Sequence, residues 1–134
     1  MKIFLDTNVL ISAYTARGIS ADLVRHILAE HDLVTGEVNL EELRRVLTNQ
    51  FHAPADVVEA VVSALRAGII APRPAGPSAI PVRDPDDRWV LASAIESGAD
   101  MLVTGDQDLL AVANVSPISI MDPRGCWERL RAGT

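Results

Sequence analysis

Residues 1–8 read MKIFLDTN, a short apolar run that ends abruptly at Asp6. This pattern predicts a buried β-strand over residues 1–5 that delivers polar side chains at its carboxyl end. A carboxylate after a fully apolar strand must lie in a crevice, accept hydrogen bonds or face a cation. Asp6 is therefore a candidate functional residue, with the alternative that it caps a turn through the amides of Asn8 and Val9.

Helices and further strands are predicted along the rest of the chain by capping residues, prolines and apolar spacing. The predicted helix starts are Ser20 as an N-cap, the segment after Gly36, Pro54 in a first turn, Asp84-Pro85, the vicinity of Asp108, and Asp122-Pro123. Short apolar runs predict strands at residues 33–34, 101–103 and 118–121. This alternation favours an α/β sandwich with a mainly parallel sheet, which binds ligands outside the carboxyl ends of its strands.

Length and composition suit one domain, which we expect to span residues 1–134. The 49% of hydrophobic residues can supply its core. The lone Cys126 cannot form an internal disulfide, and we expect it to be a buried, small apolar side chain. No secretion signal is recognised, and no apolar run reaches the roughly 20 residues of a membrane span. We expect a soluble, cytoplasmic protein.

A proline-rich segment runs from Pro72 to Arg83 and contains four prolines and Gly76. This density excludes a helix and disfavours a central strand, because proline lacks the backbone N–H that both structures use. We expect a loop or a poorly ordered sheet edge.

Two adjacent glutamates differ in their expected surroundings. Glu41 precedes Arg44 and Arg45 by three and four residues, so we expect it to form surface ion pairs. Glu42 lies one turn from apolar Val38, so its charge needs a reason and it is a candidate functional residue. The alternative is that Glu42 reaches solvent or pairs with Arg45.

Asp84, Asp86 and Asp87 crowd one helix start, where negative charge complements free N–H groups and the helix dipole. A single aspartate, Asp122, suffices at the last helix, so three exceed what capping demands. Asp87 shares a face with the apolar residues that follow it and should point toward the sheet. Asp87 is therefore the preferred candidate, followed by Asp84, whereas Asp86 falls on the outer face.

Asp106 and Asp108 follow the strand at residues 101–103. Asp106 is the better functional candidate, because Asp108 is readily explained as the N-cap of the next helix. Carboxylates gathered in one crevice repel one another unless protons or a hard cation neutralise them. Because oxygen ligands suit Mg²⁺ or Mn²⁺, the sequence predicts a metal site.

The net charge of −6, from 12 basic and 18 acidic residues, argues at first against a polyanionic partner. Without seven of these acids, 11 remain against 12 basic residues. The seven are Asp6, Glu42, Asp84, Asp86, Asp87, Asp106 and Asp108. Bound cations would reverse the local charge, so the acidic composition does not exclude RNA.

The remaining polar and aromatic residues are weaker candidates. His26, His31 and His52 lack metal-ligand spacing, so we expect surface histidines. Trp89 and Trp127 are expected to be core or interface anchors rather than base-stacking platforms. No glycine-rich nucleotide-binding motif occurs.

Four motifs follow one another across nearly the whole chain: LDTNVL at residues 5–10, EL at 42–43, DPDD at 84–87 and ADMLVTGD at 99–106. Their ordered combination resembles PIN-domain proteins, and it is most similar to the VapC-like ribonuclease toxins of type II toxin–antitoxin pairs. Each motif alone is weak, but the combination is specific.

The resemblance implies a Rossmann-like three-layer α/β/α sandwich and a Mg²⁺- or Mn²⁺-dependent endoribonuclease. It implies that the catalytic and metal-binding quartet is Asp6, Glu42, Asp87 and Asp106. The accessory positions that it suggests are Asn8, Asp84, Thr104 and Asp108. It also implies an RNA substrate, a homodimer and a neutralising protein antitoxin. The proline-rich segment departs from the shortest members of the family.

In such a nuclease the metal would acidify a water molecule for in-line attack on phosphorus, so no lysine or histidine base is needed. This chemistry suits a chain whose only lysine is Lys2. The candidate phosphate contacts are Arg17, Arg44, Arg45 and Arg88.

Other protein classes fit the sequence less well. A haloacid-dehalogenase-type phosphatase also begins with a strand that ends in a nucleophilic aspartate, but its usual second aspartate is Asn8 here. A receiver domain would need a late lysine, which the sequence lacks. A non-catalytic PIN scaffold or partner-binding module is the remaining alternative, although every member of the quartet is present.

Overall fold

Five strands, seven α-helices and one short 3₁₀-helix, Ala113–Val115, follow one another along residues 1–133, the part of the chain that this computed structural model describes. Thr134, the last residue of the expected domain, lies outside the described residues. The strands are β1 Lys2–Leu5, β2 Asp32–Gly36, β3 Ile69–Ala71, β4 Met101–Val103 and β5 Ser119–Met121. The helices are α1 Thr7–Thr15, α2 Ile19–Glu30, α3 Glu37–Asn49, α4 Ala55–Arg66, α5 Pro85–Glu96, α6 Gln107–Leu110 and α7 Pro123–Arg131.

The strands form one sheet in the order β3-β2-β1-β4-β5, and every neighbouring pair is parallel. The chain moves outward from β1 to β3 and then returns to β4 on the other side of β1. The strand order therefore reverses between β1 and β4, where the ends of open α/β sheets form a crevice. Leu5 pairs with Val103 there, so the residues after both strands emerge side by side.

Helices cover both faces of the sheet, as the strand β1 illustrates. Ile3 and Leu5 pack into one core with α1, α2, α3, α4 and α7, whereas Phe4 packs into a second core with α5 and α6. All three side chains are fully buried, as expected for a parallel strand covered on both sides. The predicted α/β sandwich with a parallel sheet is confirmed.

Several helix starts follow the predicted capping chemistry. The side chains of Asp84 and Asp122 cap α5 and α7 by accepting hydrogen bonds from backbone N–H groups. Three details of the prediction were wrong. Gly18 precedes α2 while Ser20 is buried inside it, Pro54 stands just before α4, and Asp106 rather than Asp108 caps α6.

The sequence patterns missed α1 and β3. Helix α1 carries β-branched and polar residues with little amphipathic pattern, and its start depends on the capping carboxylate of Asp6. Strand β3 has three residues and runs directly into Pro72, so its apolar pattern is too short to recognise. The proline-rich segment itself, from Pro72 to Arg83, contains neither helix nor strand, as expected.

Two further expectations concern single features. Cys126 is a free thiol with no exposed surface, and burial raises its pKa to about 11. Within residues 1–133, none of the helices combines the length and apolar character that a membrane crossing requires.

Candidate functional site

Asp6 lies at the switch point of the sheet, between β1 and α1, and it is 5% exposed. Its Oδ1 accepts hydrogen bonds from the Thr7 backbone N–H at 2.8 Å and from Asn39 Nδ2 at 3.1 Å. Its Oδ2 accepts one from Thr104 Oγ1 at 2.7 Å. Burial nevertheless raises the pKa of Asp6 to about 6, because desolvation of the charged form outweighs these bonds.

The segment after β4 is tied to the segment after β1 by hydrogen bonds. The Gly105 N–H donates to Asn8 Oδ1 at 3.1 Å. The Asp106 N–H donates to Thr104 Oγ1 at 3.0 Å, and this same hydroxyl donates to Asp6. Asn8 and Thr104, which the resemblance suggested as accessory positions, therefore align the two loops that carry Asp6 and Asp106.

Three aspartates bring carboxylate oxygens within 4.8 Å of one another: Asp87, Asp106 and Asp108. Asp87 is 9% exposed, and its Oδ2 is buried without a hydrogen-bond partner among residues 1–133. Burial, followed by the charges of Asp106, Asp84 and Asp6, raises the pKa of Asp87 to about 7. A buried carboxylate oxygen without a donor, facing other carboxylates, fits a hard divalent cation.

The two accessory aspartates have structural partners of their own. Asp108 lies inside α6, where it forms an ion pair with Arg83, whose Nε is 3.0 Å from Asp108 Oδ1. Asp84 accepts a hydrogen bond from the Asp86 N–H as the N-cap of α5. Asp108 belongs to the trio, and the charge of Asp84 acts on Asp87 within it, so both aspartates are positioned to influence a bound cation.

A cleft of about 410 Å³ opens beside the acidic trio, between α3 and the start of α5. Glu42, Asp87 and Asp106 line it, and Glu42 is partly exposed there. Partial burial raises the pKa of Glu42, although Arg45 opposes that shift. The cleft wall holds six carboxylates and two guanidinium groups, so its formal charge is strongly negative.

Of the predicted quartet, the charge of Asp106 raises the pKa of both Asp6 and Asp87, and the charge of Asp6 also raises the pKa of Asp87. Glu42 acts electrostatically on Asp6 and shares the cleft lining with the other two. Glu42 and Asp6 stand outside the tight trio, in which the accessory Asp108 takes part instead.

The expected partners of Glu41 were wrong. Glu41 forms an ion pair with Arg73 of the proline-rich segment, and Arg44 pairs instead with Glu59 on α4. Partners from other parts of the fold replace the expected pairs within α3, because α4 and the proline-rich segment pack beside this helix. Arg45 lines the cleft, as a phosphate contact requires.

The other candidate phosphate contacts lie outside the described cleft lining. Arg88 donates from Nε to the Val82 carbonyl at 2.9 Å. Arg17 lines a separate depression between α1 and α2.

Sequence reasoning missed Asn39 and Arg73 and assigned Trp89 to a core or an interface. Asn39 is fully buried and donates to both Asp6 Oδ1 and Thr7 Oγ1 at 3.1 Å. It precedes Glu42 by one helical turn, a spacing that could have identified it. Arg73 and Trp89 line the cleft, and for Arg73 only the folded proline-rich segment reveals this position.

The fold and the site together define an α/β protein with a cluster of acidic side chains at the switch point of a parallel sheet. Residues 2–108 match the family model of the PIN domain. Because this match covers most of the sequence, the chain belongs to the PIN domain family. No curated protein matches the chain significantly in sequence.

Several solved structures share the fold. VapBC2 from Rickettsia felis, bound to a DNA fragment from their promoter, is 13% identical with a TM-score of 0.63, covering 91% of this chain and 98% of that one. FitAB bound to IR36 DNA is 16% identical with a TM-score of 0.67, covering 90% and 94%. FitAcB from Neisseria gonorrhoeae is 17% identical with a TM-score of 0.62, covering 90% and 97%.

Proposed function

We propose that this chain is a metal-dependent endoribonuclease that hydrolyses RNA phosphodiester bonds, with Mg²⁺ or Mn²⁺ as its cofactor. The observation that carries the proposal is the buried Oδ2 of Asp87, which lacks a hydrogen-bond donor and lies among other carboxylates. Such an arrangement is costly for a folded protein unless a proton or a cation neutralises it, and at neutral pH and above a cation does so without keeping the carboxyl protonated. Its place at the switch point of a PIN domain supports a catalytic use.

The catalytic and metal-binding residues that we propose are Asp6, Glu42, Asp87 and Asp106. Asp87 and Asp106 would ligate the cation directly, because their oxygens are close together and line the cleft. Asp6 would bind the cation from its buried position, with both of its oxygens oriented by hydrogen-bond donors. Asp84 and Asp108 would act as accessory groups.

A divalent cation bound by carboxylates acidifies water and stabilises charge on phosphate oxygens. The chain's own groups supply the rest of the site. Arg45 offers a positive charge to a backbone phosphate within the same cleft, and Glu42 stands opposite α5 to orient a nucleophilic water by accepting its hydrogen bond. The described cleft lining contains no histidine or lysine, so proton transfer falls to carboxylates and water.

The biological role that we propose is the toxin of a toxin–antitoxin pair, acting as a homodimer in the cytoplasm and neutralised by a protein antitoxin. The resemblance of the sequence motifs to VapC-like toxins supports this role, together with the fold that the chain shares with VapBC2 and FitAB. We also propose that residues 1–134 form a single PIN-like domain, since both apolar cores share one sheet. Light scattering of the purified chain, alone and with a co-expressed antitoxin, tests both assemblies.

The decisive experiment measures cleavage of a panel of structured RNAs in Mg²⁺, in Mn²⁺ and in EDTA. The variants are Asp6→Asn and Asp87→Asn. The matched control is Asp22→Asn, which removes a surface carboxylate in the first turn of α2 that pairs with Arg25 and does not line the cleft. We expect metal-dependent cleavage by wild type and by the control, and its loss in both site variants.

Two other results would redirect the assignment. Absence of both RNA cleavage and cation binding would sink the metal site and favour the non-catalytic PIN scaffold or partner-binding module. Release of inorganic phosphate from monoesters in place of RNA cleavage would revive the phosphatase alternative, which membership of the PIN domain family disfavours.

A further inference from the structure

The cleft carries an aromatic ring and a guanidinium group that the proposed hydrolysis does not use. Trp89 follows Asp87 by two residues on α5 and lines the same cleft, partly buried. Arg73, in the proline-rich segment, places its Cζ 5.7 Å from the centroid of the Trp89 ring. This separation is typical of a cation–π contact. An aromatic face and a positive charge therefore stand together beside the acidic trio.

Arg73 is held in place but not buried. Its guanidinium contacts the Trp89 ring on one side and pairs with Glu41 on another, while half of its side chain remains exposed. Exposed ion pairs are weak and exchange readily with other anions. Arg73 can thus turn from Glu41 toward a phosphate without unfolding any regular element, because it lies in a loop.

Because the cleft is negatively charged, Arg73 becomes more important for binding a polyanion once cations are bound. Arg45 and Arg73 are the guanidinium groups of the described cleft lining, facing six carboxylates. Divalent cations would neutralise much of that negative charge, leaving the two arginines as the positive groups available to a polyanion. Trp89 supplies an aromatic ring in that lining, in a chain with few aromatic residues.

We propose that Trp89 and Arg73 form a nucleobase subsite for single-stranded nucleic acid. An unpaired base stacks on the Trp89 ring, and Arg73 binds the phosphate next to that base. This inference rests on the proposed nuclease function and specifies how its substrate is held. Bases inside a duplex already stack on one another, so the subsite selects unpaired segments.

The chain contains a matched control for this pair. Arg131 lies over the Trp127 ring at 6.0 Å, on α7 and outside the described cleft lining. Substitutions in this second pair remove the same kind of contact without touching the cleft. The Trp127→Phe variant also leaves Trp89 as the only tryptophan, so its fluorescence reports on the subsite.

Binding is measured by fluorescence of the Trp127→Phe variant in Ca²⁺, titrated with oligoadenylate, oligodeoxyadenylate, an RNA duplex and inorganic polyphosphate. We expect saturable quenching by both single strands, and little by the duplex or polyphosphate. Equal quenching by RNA and DNA strands supports a subsite that contacts only the base and the phosphate. Stronger quenching by RNA supports a subsite that also contacts the ribose 2′-hydroxyl.

Affinity and kinetics are then compared among variants. Oligoadenylate anisotropy should show Trp89→Ala binding about 5- to 100-fold more weakly, as expected for one lost stacking contact, while Trp89→Phe retains most of the affinity. Cleavage in Mn²⁺ should show that Trp89→Ala and Arg73→Ala raise KM far more than they lower kcat. Trp127→Ala and Arg131→Ala should match wild type.

The proposal is overturned if folded Trp89→Ala and Arg73→Ala variants keep wild-type affinity and KM. It is also overturned if Trp89→Ala weakens the binding of polyphosphate as much as the binding of oligoadenylate, because such a result would show a purely electrostatic site. Failure of the proposed nuclease function has a different signature. In that case wild type cleaves no RNA with any metal, whereas quenching of Trp89 by single strands persists.

Discussion

Replacing Asp87 with asparagine should stabilise the metal-free protein at neutral and alkaline pH. The ordinary pKa of this carboxyl is 3.8, and burial beside Asp106, Asp84 and Asp6 raises the pKa to about 7 in the folded chain. At 1.36 kcal/mol per pKa unit, ionised Asp87 disfavours folding by about 4 kcal/mol. Water in the open cleft screens this repulsion, so we expect Asp87→Asn to gain about 2 kcal/mol.

The sign of the effect depends on pH. Below about pH 4 the carboxyl is protonated in both the folded and unfolded states, so the Asp87→Asn substitution should change the free energy of unfolding little. Between about pH 4 and pH 7 the folded state holds the proton that the unfolded state has released, so wild type loses stability as pH rises. Above about pH 7 the loss is complete. Asp6 adds a similar slope that ends near pH 6 and is common to both proteins.

Urea denaturation followed by circular dichroism, in EDTA, measures the difference between wild type and Asp87→Asn from pH 4 to pH 8. A gain of about 2 kcal/mol corresponds to a midpoint shift of roughly 1 M urea at pH 8. Millimolar Mn²⁺ should reverse the order, because a cation stabilises only the protein that binds it. A variant no more stable than wild type at pH 8, or equally stabilised by Mn²⁺, would refute the reasoning.

Three further predictions test neighbouring features. Asn39→Ala should weaken Mn²⁺ binding by about 10- to 100-fold in calorimetry, because it removes a donor that orients the Asp6 carboxylate. The control Asn49→Ala, at the exposed end of α3, should leave Mn²⁺ binding unchanged. Gly36→Ala should cost about 1–3 kcal/mol in urea denaturation, since its Cβ would lie 2.3 Å from a buried serine hydroxyl, whereas Gly76→Ala meets open space. Cys126 should react with a thiol reagent only under unfolding conditions, and rapid labelling of native protein would contradict its burial.

Local patterns in the sequence were sufficient for much of the fold. The apolar run before Asp6 and the Asp-Pro starts of α5 and α7 each carry their own physical cause, namely strand burial and helix capping. The alternation of such elements then restricts the topology to a parallel sheet covered by helices. Helix α1 and strand β3 escaped prediction because neither has an apolar period that the sequence reveals: tertiary packing of Val9 and Leu10 stabilises α1, and pairing with β2 stabilises β3.

The sequence by itself determined which carboxylates were worth considering and that they follow strands or begin helices. It did not determine which oxygens meet, because Asp6, Glu42, Asp87 and Asp106 come from four separate parts of the chain. The tertiary structure decided that Asp108 joins Asp87 and Asp106 in the tight trio, and that Arg73 pairs with Glu41 and covers Trp89. These contacts join residues distant in sequence, and only the packing of α3, α5 and the proline-rich segment at the carboxyl ends of the strands brings them together.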